Sequence, residues 1–176
     1  MENIIAKLQH FDIGYGITCQ QILETQFDER QLENVIQEKI PIDAIRRDAH
    51  WMSDLFEVSE LHCSNYIDMC KVYCCLGTMS SNSFVEVRRD CESNLYLLVC
   101  SDSRYFGEEV LAYYKEIGKG ERSEAFVGDL KVIQKYADLN RRIVLRELVK
   151  GMNWTIMGQP FLANEYMGGL ESVYSF

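Results

Sequence analysis

The sequence predicts an α+β fold, predominantly helical, with a small β-hairpin or antiparallel sheet, in a single domain over residues 1–176. Three observations predict it. Apolar residues recur at helical spacing through most of the first 77 residues. Two short β-like runs, Phe84–Arg89 and Leu95–Cys100, flank a stretch of turn composition, Asp90-Cys91-Glu92-Ser93-Asn94. A further helical stripe runs from about Ser123 to Lys150. The domain thus reads as a helical half (1–79), a hairpin with helices (80–150) and a C-terminal segment (151–176). A chain of 176 residues fits one domain and is long enough to bury a sizeable core.

Residues 1–17 read either as a short helix carrying Ile4, Ile5, Leu8 and Phe11 or as a strand through Phe11–Ile17. From Thr18 the pattern is helical, through Ile22, Leu23 and Phe27 and again through Leu32, Val35, Ile36 and Ile40. Asp28 caps the second piece and Pro41 ends it. The stretch Ile42–Val58 repeats the logic, with Ile42, Ile45, Ala49, Met52, Leu55 and Phe56 on one face. Read as a helix, Ser59–Gly77 sets Cys63, Tyr66, Ile67, Cys70, Tyr73 and Cys74 on one stripe, which Leu61, Met69, Val72 and Leu76 widen. A helix this apolar is expected at the centre of the core.

Ser80-Ser81-Asn82-Ser83 is a turn cluster, and the hairpin follows it. Its second strand is nearly all apolar, so both of its faces should be covered. A helix over Phe106–Ile117 turns Val110, Leu111 and Tyr114 inward. The long helix after it carries Phe126, Leu130, Ile133, Tyr136, Ala137, Leu139, Ile143 and Leu148, and Gly151 is expected to end it.

The formal charge is -9, and it is uneven: residues 1–130 hold 12 Lys and Arg against 23 Asp and Glu (-11), residues 131–176 hold 6 against 4 (+2). An acidic body repels nucleic acid and anionic membrane and attracts basic protein surfaces. No segment has the apolar length of a membrane span. The first residues carry an acid at once and no long apolar run, so no secretory leader is expected and the expected compartment is the reducing cytoplasm.

The seven cysteines include no Cys-x-x-Cys pair, so their expected role is packing as free thiols. Cys91 lies between Asp90 and Glu92, which raise a thiol pKa rather than activate it. His10, His50 and His62 form no His-Glu-x-x-His pair, and no Gly-x-Ser-x-Gly elbow or phosphate loop is present. No metal, cofactor or catalytic residue is assigned on this basis. The one candidate enzyme site is Ser101-Asp102-Ser103-Arg104, where an apolar strand should end and a helix begin. Ser103 also suits a plain N-cap.

Val144 to Gly158 resembles the first two helices of helix-turn-helix domains in sigma-type and phage regulators, through Gly151, Trp154, Met157 and Gly158. The resemblance implies a regulator with a degenerate C-terminal helix-turn-helix. It departs from the pattern at Pro160, inside the implied second helix, and in Glu165 to Phe176, which holds two acids and no Lys or Arg to meet phosphates.

The leading expectation is a non-enzymatic acidic binding protein, an inhibitor or nucleic-acid mimic acting on the basic surface of a nucleic-acid-handling protein, with no direct contact to nucleic acid. Its candidate contacts are Asp43, Asp48, Asp54 and Glu57 on one expected helix and Glu108, Glu109 and Glu116 on another.

Overall fold

The computed structural model of the chain describes residues 13–45, 56, 58, 60–118, 123–163 and 169–176. Among these residues nine α-helices and strands follow in order: β1 (Gly16–Ile22), α1 (Glu29–Lys39), α2 (Met69–Cys74), β2 (Phe84–Arg89), β3 (Leu95–Ser101), α3 (Arg104–Glu116), α4 (Glu124–Met152), β4 (Ile156–Leu162) and β5 (Glu171–Ser175). The strands form one sheet in the order β4-β1-β3-β2-β5, every neighbour antiparallel. The α+β class stands, but a predominantly helical chain with a small hairpin does not. The hairpin is the centre of a five-stranded sheet. The other three strands pair with residues distant in sequence, and no local turn announces them.

The β2–β3 turn is built on Asp90. Its carboxylate accepts from the Glu92 N–H at 2.9 Å, the Asn94 N–H at 2.8 Å, Asn94 Nδ2 at 2.9 Å and the Tyr96 hydroxyl at 3.1 Å. The Asn94 side chain is the main cause of an Asp90 pKa below the ordinary carboxylate value. β3 is central and buried on both faces, as its composition requires.

Two apolar clusters hold the elements together. In the first, Leu95, Leu97 and Val99 of β3 join Val85 and Val87 of β2 and Ile22 of β1 on one face of the sheet. Leu32, Val35 and Ile36 of α1 and Val144, Leu145, Leu148 and Met152 of α4 cover that face. In the second, Phe106, Val110 and Tyr114 of α3 meet Phe126, Ile133 and Tyr136 of α4, with Leu61, Cys63, Val72 and Leu76 closing over them. α4 therefore contributes to the second cluster as far as Ile143 and to the first from Val144 onward.

α1 starts where Asp28 accepts from the Arg30 and Gln31 N–H groups, and α4 where Ser123 accepts from the Phe126 N–H, both by ordinary N-capping. Gly151 does not end α4. It lies inside the helix, and its lack of a Cβ, which would run into Val35 Cγ1, lets α1 pack close there. Asn153, at φ 57°, is the residue that stops it.

Three further expectations change. The stretch Ser59–Gly77 is not one helix. Among its described residues only a 3-10 turn at Ser64–Tyr66 and the six-residue α2 form, Tyr66 is 71 % exposed and Cys70 is exposed. Thr18–Ile22 is strand rather than helix, since its backbone groups are taken by β3 on one side and β4 on the other. The segment after Asn153 is also strand, with Pro160 on an edge where a missing N–H is tolerated. The implied second helix of a helix-turn-helix is therefore not formed. Among the described residues no helix is long and apolar enough to cross a membrane.

Candidate binding site

Three polar side chains lie on the buried side of α4: Asp129 and Asn140, both at 0 % exposure, and Arg141 at 3 %. Buried polar groups are stable only when hydrogen-bonded, so each reports what it is built to hold. Asn140 accepts from the Gly77 N–H at 2.7 Å and donates to Thr78 O at 3.0 Å and Ser101 Oγ at 3.4 Å. Asp129 accepts from the His62 N–H at 2.8 Å, the Cys63 N–H at 3.3 Å and the Tyr114 hydroxyl at 2.9 Å, with His62 Nδ1 at 3.1 Å. Burial pushes the Tyr114 and Cys63 pKa values up, and Asp129 beside each adds to it. Both residues have their hydrogen-bonding capacity taken up within the protein and act as clamps.

Arg141 is different. Its Nε donates to Thr18 Oγ1 at 3.0 Å, and its Nη1 to Gly14 O at 2.8 Å and Ser101 O at 3.0 Å. No acceptor among the described residues takes Nη2, and no carboxylate there forms an ion pair with the guanidinium. Burial lowers its pKa from the ordinary arginine value, and the Asp138 charge works against that shift. The chain passes close by: a Cβ at Gly16 would stand 3.3 Å from Nη2, and one at Gly14, at φ 72°, only 2.8 Å from Ala137 Cβ. Glycine at both positions lets the backbone reach the guanidinium. Arg141, Asp138, Gln134, Tyr15 and Leu162 are among the walls of a cavity of about 430 Å³. Asp138 gives Oδ2 to Arg142 Nε at 2.7 Å, while its Oδ1 is buried with no hydrogen-bond partner.

A second cavity, of about 350 Å³, lies between α4 and β4. Leu139, Ile143, Val149, Ile156 and Pro160 give it apolar walls, and Arg142, Arg146 and Gln20 line it as well. Gln20 Nε2 donates to Met157 O at 2.9 Å, and Arg142 Nη1 to Pro160 O at 3.4 Å, which ties the strand over the helix. β4 is an edge strand with a bulge opposite Cys19–Gln21. It carries no charge, and Ile156, Met157, Phe161 and Leu162 are each 44 to 53 % exposed. By register, Met157 and Phe161 share a face with Gln21 and Cys19, while Ile156 and Leu162 share the opposite one with Ile22 and Thr18. An edge strand apolar on both faces is unusual in a protein that works alone.

The acids singled out from sequence do not gather here. Asp43 is not helical: at φ 48° its carboxylate accepts from the Ser81 N–H at 3.1 Å and faces Arg104 Nη1 at 3.5 Å. Asp48, Asp54 and Glu57 lie outside the described residues. On α3, Glu108 and Glu116 are exposed, and Glu109 is half-buried against the Tyr105 hydroxyl. In the loop after β3, Ser101, Asp102 and Ser103 are all buried. Ser103 Oγ donates to Ile13 O at 2.7 Å, and it is Asp102, not Ser103, that accepts from the first amide of α3, at 2.8 Å. The loop's polar groups join elements together. Arg141 and β4 were missed in sequence. A polar residue spaced with Ala137, Val144 and Leu148 on a helix stripe is the signal that marks Arg141.

The thiols divide clearly. Cys70 and Cys91 are exposed, Cys74 is half-buried, and Cys19, Cys63, Cys75 and Cys100 are buried. Among the described residues no three His, Cys, Asp or Glu groups are placed to hold a metal. A thiol reagent applied to the native protein should label Cys70 and Cys91 fast and Cys74 slowly, and should reach the remaining four only on unfolding. Rapid native labelling of Cys19 or Cys100 would show that the sheet opens locally.

Burial of a thiol and a hydrogen bond to a half-exposed phenol set an alkaline limit. Burial raises Cys19 from 9.0 to about 12, outweighing the Arg88 charge. A hydrogen bond with Cys100, then burial, raises Tyr15 from 10.0 to about 12. Groups with raised folded pKa values stabilise the fold fully below their unfolded values and lose that contribution as pH rises through the folded ones. Melting temperature should therefore hold up to the unfolded thiol value of 9.0 and fall progressively toward about 12. A flat profile over that range would contradict the burial of Cys19.

No protein-family model matches the sequence, and no curated protein matches it.

Proposed function

We propose that the protein is a non-enzymatic binding protein that grips a partner protein at β4. The observation that carries this reading is the uncharged edge strand with four large apolar side chains exposed beside an apolar cavity. Arg146, exposed next to that cavity, has no ion-pair partner among the described residues. The partner segment that fits sets an apolar side chain between α4 and β4 and a carboxylate beside Arg146. The basic-surface reading retains its support from the net charge of -9 and from Glu108 and Glu116, exposed on α3. In that reading the acids steer encounter, and the rate of association falls steeply with salt.

Two variant sets separate the readings. Phe161→Ser with Leu162→Ser strips β4, and Glu108→Lys with Glu116→Lys reverses the acids. Each serves as bait beside the wild type in extracts of the native host, and partners are compared by mass spectrometry. The β4 reading expects a partner that the first set loses and the second keeps, with affinity for the purified partner reduced at least about tenfold. A partner lost only by the second set returns the function to the acidic surface. A partner kept by both removes β4 from the contact.

A further inference from the structure

The groove between α4 and β4 is apolar along its floor and basic along one rim. Leu139 and Val149 of α4 and Ile156 and Pro160 of β4 are its apolar residues, and Arg142 and Arg146 stand on the α4 side. Lys150, one turn beyond Arg146, is exposed as Arg146 is. The acids that adjoin the groove are committed or face elsewhere. Asp138 is bonded to Arg142 at 2.7 Å and offsets its charge. Arg142 marks the β4 side of α4 through its contact with Pro160 O, and Glu147 is half-buried about 140° round the helix from it. Glu24 accepts from the Thr155 N–H at 2.8 Å, at the start of β4. Arg146 and Lys150 form no ion pair among the described residues. Charge complementarity therefore asks for carboxylates on whatever lies along the α4 rim.

The free edge of β4 does not accept a partner strand along its length. Thr155 O accepts from the Leu23 N–H, and the Ala163 N–H donates to Ile17 O, so by alternation the backbone of Ile156 and Leu162 faces outward. Between those two residues Gly158 breaks the strand at φ 70°, Pro160 has no N–H, and the Pro160 carbonyl accepts from Arg142. A continuous ladder is interrupted at its middle. The groove itself lies on the helix side of the sheet, since Ile156 shares a face with Ile22, which α4 helps to cover. From Leu139 to Val149 it runs about 15 Å, the length of about three helical turns.

We propose, resting on β4 as the contact surface, that the occupant of this groove is an acidic amphipathic helix of a partner protein. Its apolar stripe, at i, i+3, i+4 and i+7, lies against Leu139, Val149, Ile156 and Pro160, and its carboxylates lie beside Arg146 and Lys150. A second copy of this chain does not supply it, because the acidic helices α1 and α3 already bury their apolar stripes in the core.

The test uses the full chain and three labelled peptides of about 14 residues, long enough to form a helix on binding. The first is built of Leu, Glu and Ala with Leu at helical spacing. The second has the same composition with Leu and Glu alternating, the period of a strand. The third is the first with Lys in place of Glu. Fluorescence polarisation should show saturable binding of the first, at least about tenfold tighter than of either control and weakening as salt rises. Arg146→Glu with Lys150→Glu should weaken it about tenfold and flatten its salt dependence, and Ile156→Ser should weaken it as well. All three positions are exposed, so melting temperatures should stay near the wild type. If the alternating peptide binds as tightly and loses affinity in Ile156→Ser, β4 remains the contact but takes a strand, and the helix is overturned. A Lys peptide that binds as well as the Glu peptide overturns the acidic partner. If neither Ile156→Ser nor Phe161→Ser with Leu162→Ser affects the Glu helix, it sits elsewhere, and the β4 reading loses this support too. No saturable binding of the first peptide up to about 1 mM overturns the helix and leaves β4 to the partner comparison.

Discussion

Replacing Asp129 with alanine should destabilise the protein by about 3–5 kcal/mol, the range for stripping one partner from a buried, hydrogen-bonded polar cluster. The carboxylate is fully buried and receives the His62 and Cys63 amides, the Tyr114 hydroxyl and His62 Nδ1. Truncation removes every acceptor at once. The two amides have no helix or strand ladder to return to, because residues 60–63 form a turn rather than a helix. Gly128 sits next to Asp129 with His62 Cε1 only 3.3 Å from where its Cβ would be, so one edge of the largely exposed imidazole rests on the helix. Asparagine keeps the shape but offers one acceptor oxygen, and its loss should be about 1–3 kcal/mol. Denaturant unfolding at constant m-value gives the comparison. A cost for alanine below about 1 kcal/mol would mean that water replaces the carboxylate, and that the turn at 60–63 is not held by it.

Tyr136→Ala should cost a similar amount, about 3–5 kcal/mol, by a different route. The ring is fully buried, edge-on to Phe106 with centroids 5.1 Å apart and to Phe56 at 5.4 Å. Its loss leaves a cavity lined by side chains on three separate segments, which cannot collapse together. Tyr136→Phe keeps the ring but removes the 2.8 Å hydrogen bond from the hydroxyl to the Val72 carbonyl, which still accepts from the Cys75 N–H at 3.1 Å, and should cost about 1 kcal/mol. Combining Tyr136→Ala with Phe106→Ala should cost less than the sum, since the rings share one space. Additive losses would show that the two rings are packed independently. In that case the second cluster is looser than its contacts suggest.

What the sequence revealed follows from how local each feature is. Asp90 to Asn94 folds back on its own carboxylate, so the hairpin is legible from five residues. Asp28 and Ser123 cap helices with groups two or three positions away, and both starts were readable. β1, β4 and β5 owe their state to partners more than 70 residues distant, as with Gly16 opposite Ser101 or Ile22 opposite Ile156. Gln20 and Gln21 gave β1 no alternation, and the spacing of Trp154 and Met157 mimicked a helix. The false helix over Ser59–Gly77 arose the same way. Cys63, Ile67 and Cys74 sit at helical spacing, but Asp129 takes the amides that a helix there would need. The acids stand out as a patch in sequence because charge is visible there while its commitments are not. Asp43 is bound to Ser81 and Arg104. Arg141 and Asp138 face the opposite problem, since only the fold shows which of their atoms lack a partner.

The strand order β4-β1-β3-β2-β5 also dictates a schedule for synthesis. The three middle strands are complete once Ser101 is made, but both edges come from residues 156–175. Until those residues leave the ribosome, β1 and β2 each present an unpaired backbone to whatever nascent chain lies beside them. At about 5–20 residues per second, that window lasts several seconds. Chaperone demand should therefore be set by the last strands to emerge. A chain stalled after Met152 should be captured or aggregate, whereas one stalled beyond Phe176 should not.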